Sequence, residues 1–163
     1  MPNNFSVVTA DLSDSNHAFA LLEMLKQYAS DIMGGGNELS DNVKYNLIPQ
    51  LQKRNDCLVL LAYDDKTPIG LCIAFEGFST FYAKPLLNIH DFVVSLSHRG
   101  KGVAKLLLER TEQIAIARGY CKLTLEVLEG NHRAHKVYRD FGFKGYELDE
   151  KMGKAMFWDK KLV

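Results

Sequence analysis

The sequence carries no excess of either charge: Lys plus Arg number 20, and so do Asp plus Glu. A protein that binds nucleic acid or a membrane surface through a general field would lean to one sign, so any anion recognition here has to be local. No apolar run approaches the ~20 residues that span a bilayer. The opening stretch MPNNFSVVTADLSD lacks the basic region and apolar core of a signal peptide. Cysteine is scarce as well. Cys57, Cys72 and Cys121 are odd in number, lie apart in apolar runs and show no C-x-x-C spacing. They read as thiols buried in a reducing compartment, not as a disulfide framework. The expectation is a soluble cytoplasmic protein with neither nucleic acid nor membrane as partner. Internal repeats and low-complexity linkers are also missing. What is there is ordinary globular material: 163 residues, 47% hydrophobic and 25% charged. That suits one domain, residues 1–163, large enough to bury a core without disulfides or metals.

Several chemical signatures are absent too. No G-x-x-x-x-G-K-[ST] phosphate loop occurs, and Gly100-x-Gly102 is followed by Lys105 where a dinucleotide fingerprint has its third glycine. Without G-x-S-x-G or a Cys–His motif, covalent catalysis has little support. His132 and His135 are spaced to grip a metal from one helix face, but no third or fourth ligand accompanies them. They read as an exposed polar face, and no metal is expected.

Along the chain, FSVVTADL (5–12) reads as a strand. A helix follows Asp14 or Ser15 as N-cap, with Phe19, Leu22, Leu25, Lys26 and Ala29 at helical spacing. Gly34–Asn37 breaks it and marks a mobile loop, and SDNVKYNLIPQLQKR reads as a second helix, interrupted near Pro49. Two near-continuous apolar runs, CLVLLAY and IGLCIAF, joined by Asp64–Pro68, suggest a hairpin covered on both faces. PLLNIHDFVVS is a further strand. The next helix, from Val103, would bury Ala104, Leu107, Leu108, Thr111 and Ala115, pair Lys105 with Glu109, and end at Gly119. CKLTLEVLE is another strand. NHRAHKVYRDFG is a helix with Ala134, Val137, Tyr138 and Phe141 on one stripe, closed by Gly142. FKGYELD and KAMFWDKKL supply two closing strands. The order predicts an α/β or α+β fold around one mixed sheet.

The strand-to-helix junction Arg99-Gly100-Lys101-Gly102-Val103-Ala104 is the chemically suggestive point. A glycine turn that feeds a helix N-terminus presents unpaired N–H groups and a positive dipole end, and cations surround it. From these residues alone the turn is either an anion cradle or a tight connection with surface lysines.

The spacing Arg99-x-x-Gly102-x-Ala104 resembles the acyl-CoA pyrophosphate loop of the GNAT superfamily of N-acyltransferases, R/Q-x-x-G-x-G/A. Downstream, Asn131-x-x-Ala134-x-x-x-Tyr138-x-x-x-Gly142-Phe143 resembles that family's pantetheine helix. FSTF…KPLLNIHDFVV is loosely similar to the spermidine/spermine acetyltransferase branch. The resemblance covers roughly residues 69–143. It implies a GNAT fold: a central mixed, mostly antiparallel sheet flanked by helices, with two splayed parallel strands forming an acyl-CoA cleft. It also implies acetyl-CoA as co-substrate, with the pyrophosphate on Arg99, Gly100, Lys101, Gly102, Val103, Ala104 and Lys105. The pantetheine arm would pair with the backbone of Phe92, Val93 and Val94 in the manner of an added strand. Asn131 would bond to that arm or cap its helix. Tyr138 would be the general acid for the departing thiolate, although the helix alone reads it as a core aromatic on the stripe with Val137 and Phe141.

His90 stands where the polyamine branch carries a catalytic Glu, and a neutral imidazole can take the amine's proton near pH 7. It could also be a hydrogen-bonded strand histidine. Glu126 and Glu76 are rivals for that role, and Asp91 reads as structural. The function implied is transfer of an acetyl group to a primary amine of a small molecule, such as a polyamine, amino acid or aminoglycoside. The alternatives are a protein or peptide acetyltransferase, or a non-catalytic acyl-CoA sensor. Members of the family are often dimers, so a homodimer is allowed.

Overall fold

Asp14 starts the first helix as its sequence suggests: the carboxylate accepts the Asn16 N–H at 2.8 Å and so satisfies a donor left over by helix geometry. In the computed structural model, which describes residues 4–147 and 149–162, helix α1 (Ser15–Ser30) follows strand β1 (Phe5–Thr9). A 3₁₀ turn (Ile32–Gly34) leads to α2 (Asp41–Gln52), capped by Ser40. Then come β2 (Cys57–Asp64), β3 (Thr67–Ser79), β4 (Lys84–Val94), α3 (Val103–Ala117), β5 (Leu123–Leu125) and α4 (His132–Phe141). The chain divides into two units, Met1–Leu125 and Glu126–Val163.

In the first unit the strands lie in the order β1-β2-β3-β4-β5, antiparallel up to β4 and parallel between β4 and β5. This is the mixed, mostly antiparallel sheet expected. Two helices cover one face: Leu21 and Met24 of α1 and Leu51 of α2 bury against Val59, Leu61, Leu71, Ile73 and Val93. Helix α3 covers the other, where Leu107 and Val103 approach Gly70 so closely that an added methyl would clash. There Thr111 Oγ1 lies 3.7 Å from Cys72 Sγ. Burial on both faces explains why β2 and β3 are continuous apolar runs rather than alternating ones.

The hairpin, the Lys105–Glu109 pair of α3 (3.6 Å) and the terminating Gly119 (φ 73°) follow the sequence, as does the buried stripe of α3 except that Val103 is buried and Ala104 only half-buried. Three expectations need correction. The buried face of α1 is Ala20, Leu21 and Met24, while Phe19 is exposed; the stripe is displaced around the helix from the one read off Phe19 and Leu22. Pro49 does not interrupt α2. It sits in the last turn, where only one backbone bond is lost before the helix ends. The two closing strands do not form among the described residues, and Leu148 of the first lies outside them. A single antiparallel bridge joins Glu147 and Lys154. Met156, Phe157 and Trp158 are exposed there, so no apolar burial offsets the entropy of ordering a longer ladder.

Candidate active site

The turn between β4 and α3 is held from several sides. His98 acts as a strut: its Nδ1 lies 3.1 Å from Ser95 Oγ and 2.9 Å from Ser97 Oγ, and its Nε2 lies 3.3 Å from Asp64 Oδ2. Arg99 donates through Nε to the Val94 carbonyl (3.1 Å) and through its terminal nitrogen to Asp31 (2.7 Å) at the end of α1. Asp31 also accepts the Met33 N–H, and its carbonyl receives the N–H groups of Gly34 and Gly36. One guanidinium therefore ties the glycine turn to the triple-glycine segment.

Gly100 (φ 79°) and Gly102 (φ 92°) both take the left-handed conformation that side chains resist. Nothing lies within 4 Å of a methyl built on either, so backbone angle and not crowding demands glycine. Gly102 caps α3 without a side chain to offer, and the first bond inside the helix runs from Leu106 N–H to the Gly102 carbonyl (3.1 Å). The N–H groups of Val103, Ala104 and Lys105 consequently have no acceptor within the helix. A cavity of about 380 Å³ opens beside this turn, lined by Val93, Val94 and Ser95 of the β4 end together with Lys26, Asp31 and Arg99.

Strand β4 carries a bulge. Ile73 pairs with Asp91 but Ala74 pairs with Ile89, leaving His90 as the extra residue. The bulge moves the following residues to the opposite face. Ile89 lies on the α3 side with Ala74, whereas Asp91 and Val93 lie on the α1/α2 side with Ile73 and Leu71. The β4–β5 ladder ends at Ile89 and Leu125, so Asp91–Val94 runs on past the parallel partner. His90 is exposed, with its ring edge-on to Phe75 at 5.5 Å. Burial pushes the Asp91 carboxyl above the ordinary carboxylate range, opposed by the adjacent His90. Burial raises Tyr28 too, with Asp91 and Asp31 adding to it, and lifts the Cys57 thiol to about 11.

In the second unit Asn131 caps α4, accepting the Ala134 N–H at 3.2 Å, as expected. Tyr138 is half-buried, its ring edge-on to Phe143 at 5.8 Å, and its carbonyl accepts the Phe143 N–H where Gly142 (φ 104°) closes the helix. His135 Nε2 lies 3.1 Å from the Leu128 carbonyl, engaged locally. Of the rivals to His90, Glu76 accepts the Tyr120 hydroxyl at 2.5 Å, and Glu126 is exposed just after β5. His90, Phe92–Val94 and Arg99–Lys105 all lie in the first unit, but of these only Val93, Val94 and Arg99 line the cavity; Asn131 and Tyr138 belong to the second unit. Sequence reasoning passed over Asp31 and His98. Asp31 lies 68 positions from Arg99, and no local spacing announces that pair.

Comparison with known proteins gives a consistent result. A family model described as the acetyltransferase (GNAT) family matches residues 18–143. A streptothricin acetyltransferase of Streptomyces lavendulae is 40% identical over 63 residues, 39% of this chain and 33% of that protein. The streptothricin acetyltransferase of Escherichia coli is 30% identical over 138 residues, 82% of this chain and 75% of that protein. Three of the curated relatives are matched over only 42%, 33% and 43% of their own lengths. An aminoglycoside acetyltransferase from an uncultured soil metagenomic sample shares the fold, with a TM-score of 0.77, 16% identity and 98% coverage of both chains.

Proposed function

The chain belongs to the GNAT acetyltransferase family, and from that premise we propose that it moves an acetyl group from acetyl-CoA to a primary amine of a small molecule. The observation that carries the reading is the uncapped start of α3, where Gly100 and Gly102 are left-handed and the N–H groups of Val103–Lys105 lack helical acceptors. Such a turn favours a diphosphate, through free donors and the positive end of the helix dipole. Lys101 adds charge from an exposed position, and Arg99 stiffens the loop through Val94 and Asp31. The neighbouring cavity along Val93 and Val94 suits a slender amide-bearing arm, which could pair with the strand as an added strand would. Asn131 would serve that arm in addition to capping α4. Bound acetyl-CoA supplies an activated thioester carbonyl.

The protein's own groups do the rest. His90, set out from the ladder by the bulge, accepts the proton of the incoming amine. The amine nitrogen bonds to the carbonyl carbon and sheds its second proton to water, the carbon–sulfur bond breaks, and Tyr138 gives its phenolic proton to the sulfur. A phenol of pKa near ~10 and a thiol of pKa near ~8.5 make that transfer nearly balanced. Exchange with water returns His90 and Tyr138 to their starting states. Positioning supplies most of the acceleration.

A small acceptor is supported by relatives named for acetylating streptothricin and by a net charge of zero, which offers no field for an acidic or basic polymer. We also read both units as parts of one GNAT domain, because the family match runs across their boundary. The free thiols of Cys57, Cys72 and Cys121 favour a reducing compartment such as the cytoplasm. Initial rates with both substrates varied test the ternary mechanism. Intersecting double-reciprocal lines are expected, and parallel lines would point to an acetyl-enzyme instead.

A further inference from the structure

We propose that Asp91 is the acceptor-binding residue: turned by the β4 bulge onto the α1/α2 face, its carboxylate holds the ammonium group of the incoming amine. The inference deepens the acetyltransfer reading and rests on it. Without the bulge, Asp91 would share the face of Leu87 and Ile89, under α3; with it, Asp91 joins the row of Ile73 and Val59, two residues of the buried core. A carboxylate at the rim of an apolar cluster normally has an arginine, a lysine or several N–H donors. Asp91 has no hydrogen-bond or ion-pair partner among the described residues. Arg99 is committed to Asp31 and Val94, and Arg54 to Asp56.

The titratable groups that interact with Asp91 are Tyr28 from α1, Cys57 from β2, the buried Cys72 from β3 and His90 from β4, with Asp31 acting on Tyr28 from further along α1. Tyr28 and Cys57 are neutral, Asp31 is already paired, and only His90 can supply positive charge. Apart from His90, this surround offers Asp91 no cationic N–H donor among the described residues. A primary ammonium supplies it, while an alcohol or a neutral amide does not. Asp91 also adjoins the proposed proton acceptor. An amine anchored on the carboxylate can pass one proton to His90 and keep a hydrogen bond to Asp91 as its lone pair becomes free.

A purely structural aspartate would stabilise the fold, whereas this one should do the reverse. Its folded-state pKa is raised, so its charge weakens the native state at neutral pH, and that penalty disappears as pH falls through the raised pKa toward the unfolded value. The test is calorimetric binding of 1,4-diaminobutane, free lysine and kanamycin to the CoA-saturated protein, wild type against Asp91→Asn and Asp91→Glu, with thermal melting alongside. For at least one amine, Asp91→Asn is expected to weaken binding by about 10- to 100-fold, with CoA affinity unchanged and Asp91→Glu partly retained. The Asn variant should melt at or above the wild-type temperature at pH 7, with the difference shrinking toward pH 4. Equal amine affinity in wild type and Asp91→Asn overturns the inference. So does the absence of amine binding to wild type, or a melting point several degrees lower in the Asn variant. Asp91-dependent amine binding without any thiol release would uphold the ammonium site and contradict the transferase reading.

Discussion

A thiol sealed in a hydrocarbon interior is a poor nucleophile, because the thiolate that would react cannot be solvated. Cys72 is fully buried between β3 and α3, and burial pushes its pKa to about 12, only partly opposed by Thr111. Iodoacetamide at pH 8 should therefore leave Cys72 unmodified in the native protein and label it once the chain is denatured. Peptide mass spectrometry reads this directly, and rapid native labelling would contradict the packing of α3 on the sheet. Asp31 is the other residue whose removal should be costly. It receives Arg99 on one oxygen and the Met33 N–H on the other, with 14% of its side chain exposed. Asp31→Ala strands a half-buried guanidinium and uncaps the 3₁₀ turn, at a cost of about 1–3 kcal/mol in denaturant unfolding. Asp31→Asn keeps an acceptor for Met33 and should cost less. Both should weaken acetyl-CoA binding by loosening the loop from α1.

Elements were legible where local chemistry decides them. Asp14, Asn131 and Gly142 mark helix ends by caps that need only neighbouring backbone. The β2–β3 hairpin shows itself through its turn residues. Elements were misread where the answer lies across the fold. The buried face of α1 depends on which residues meet Leu61 and Ile73, and helical spacing alone admits two neighbouring stripes. The β4 bulge leaves no trace in LLNIHDFVV, because it is a mismatch of register between two strands. The last segment carries the apolar run 155–158, yet Met156, Phe157 and Trp158 end exposed. The β4–α3 junction makes its own prediction. Gly102→Ala forces a methyl into φ near 92°, at roughly 1–2 kcal/mol of strain, with open space around it. The backbone should escape by rotating the turn, so acetyl-CoA affinity should fall about tenfold or more while the amine KM stays near wild type. Calorimetry with CoA reads the first and steady-state kinetics the second.

For the whole molecule, a ligand that binds only the folded state stabilises it in proportion to its occupancy. At one hundred times its Kd, acetyl-CoA should add about 2.7 kcal/mol, which for a chain of this size raises Tm by roughly 5–10 °C. Gly102→Ala should show a smaller rise at the same concentration. The family was legible because two short motifs keep their spacing, Arg99-x-x-Gly102-x-Ala104 and Asn131 through Phe143. The proposed acceptor side was not. Asp91, Tyr28 and Asp31 come together through a bulge and a helix terminus, with no motif to announce them. The central claim is acetyl transfer to a small amine with Tyr138 as proton donor. Its most direct test is CoA-thiol release from acetyl-CoA across a panel of amines and peptides, with wild type and Tyr138→Phe side by side. The account predicts that at least one small primary amine drives release and is recovered as its N-acetyl derivative, with Tyr138→Phe slowing turnover ~100-fold or more while acetyl-CoA still binds. Tight acetyl-CoA binding with no thiol released by any amine or peptide would contradict it and leave a sensor of the cofactor in its place.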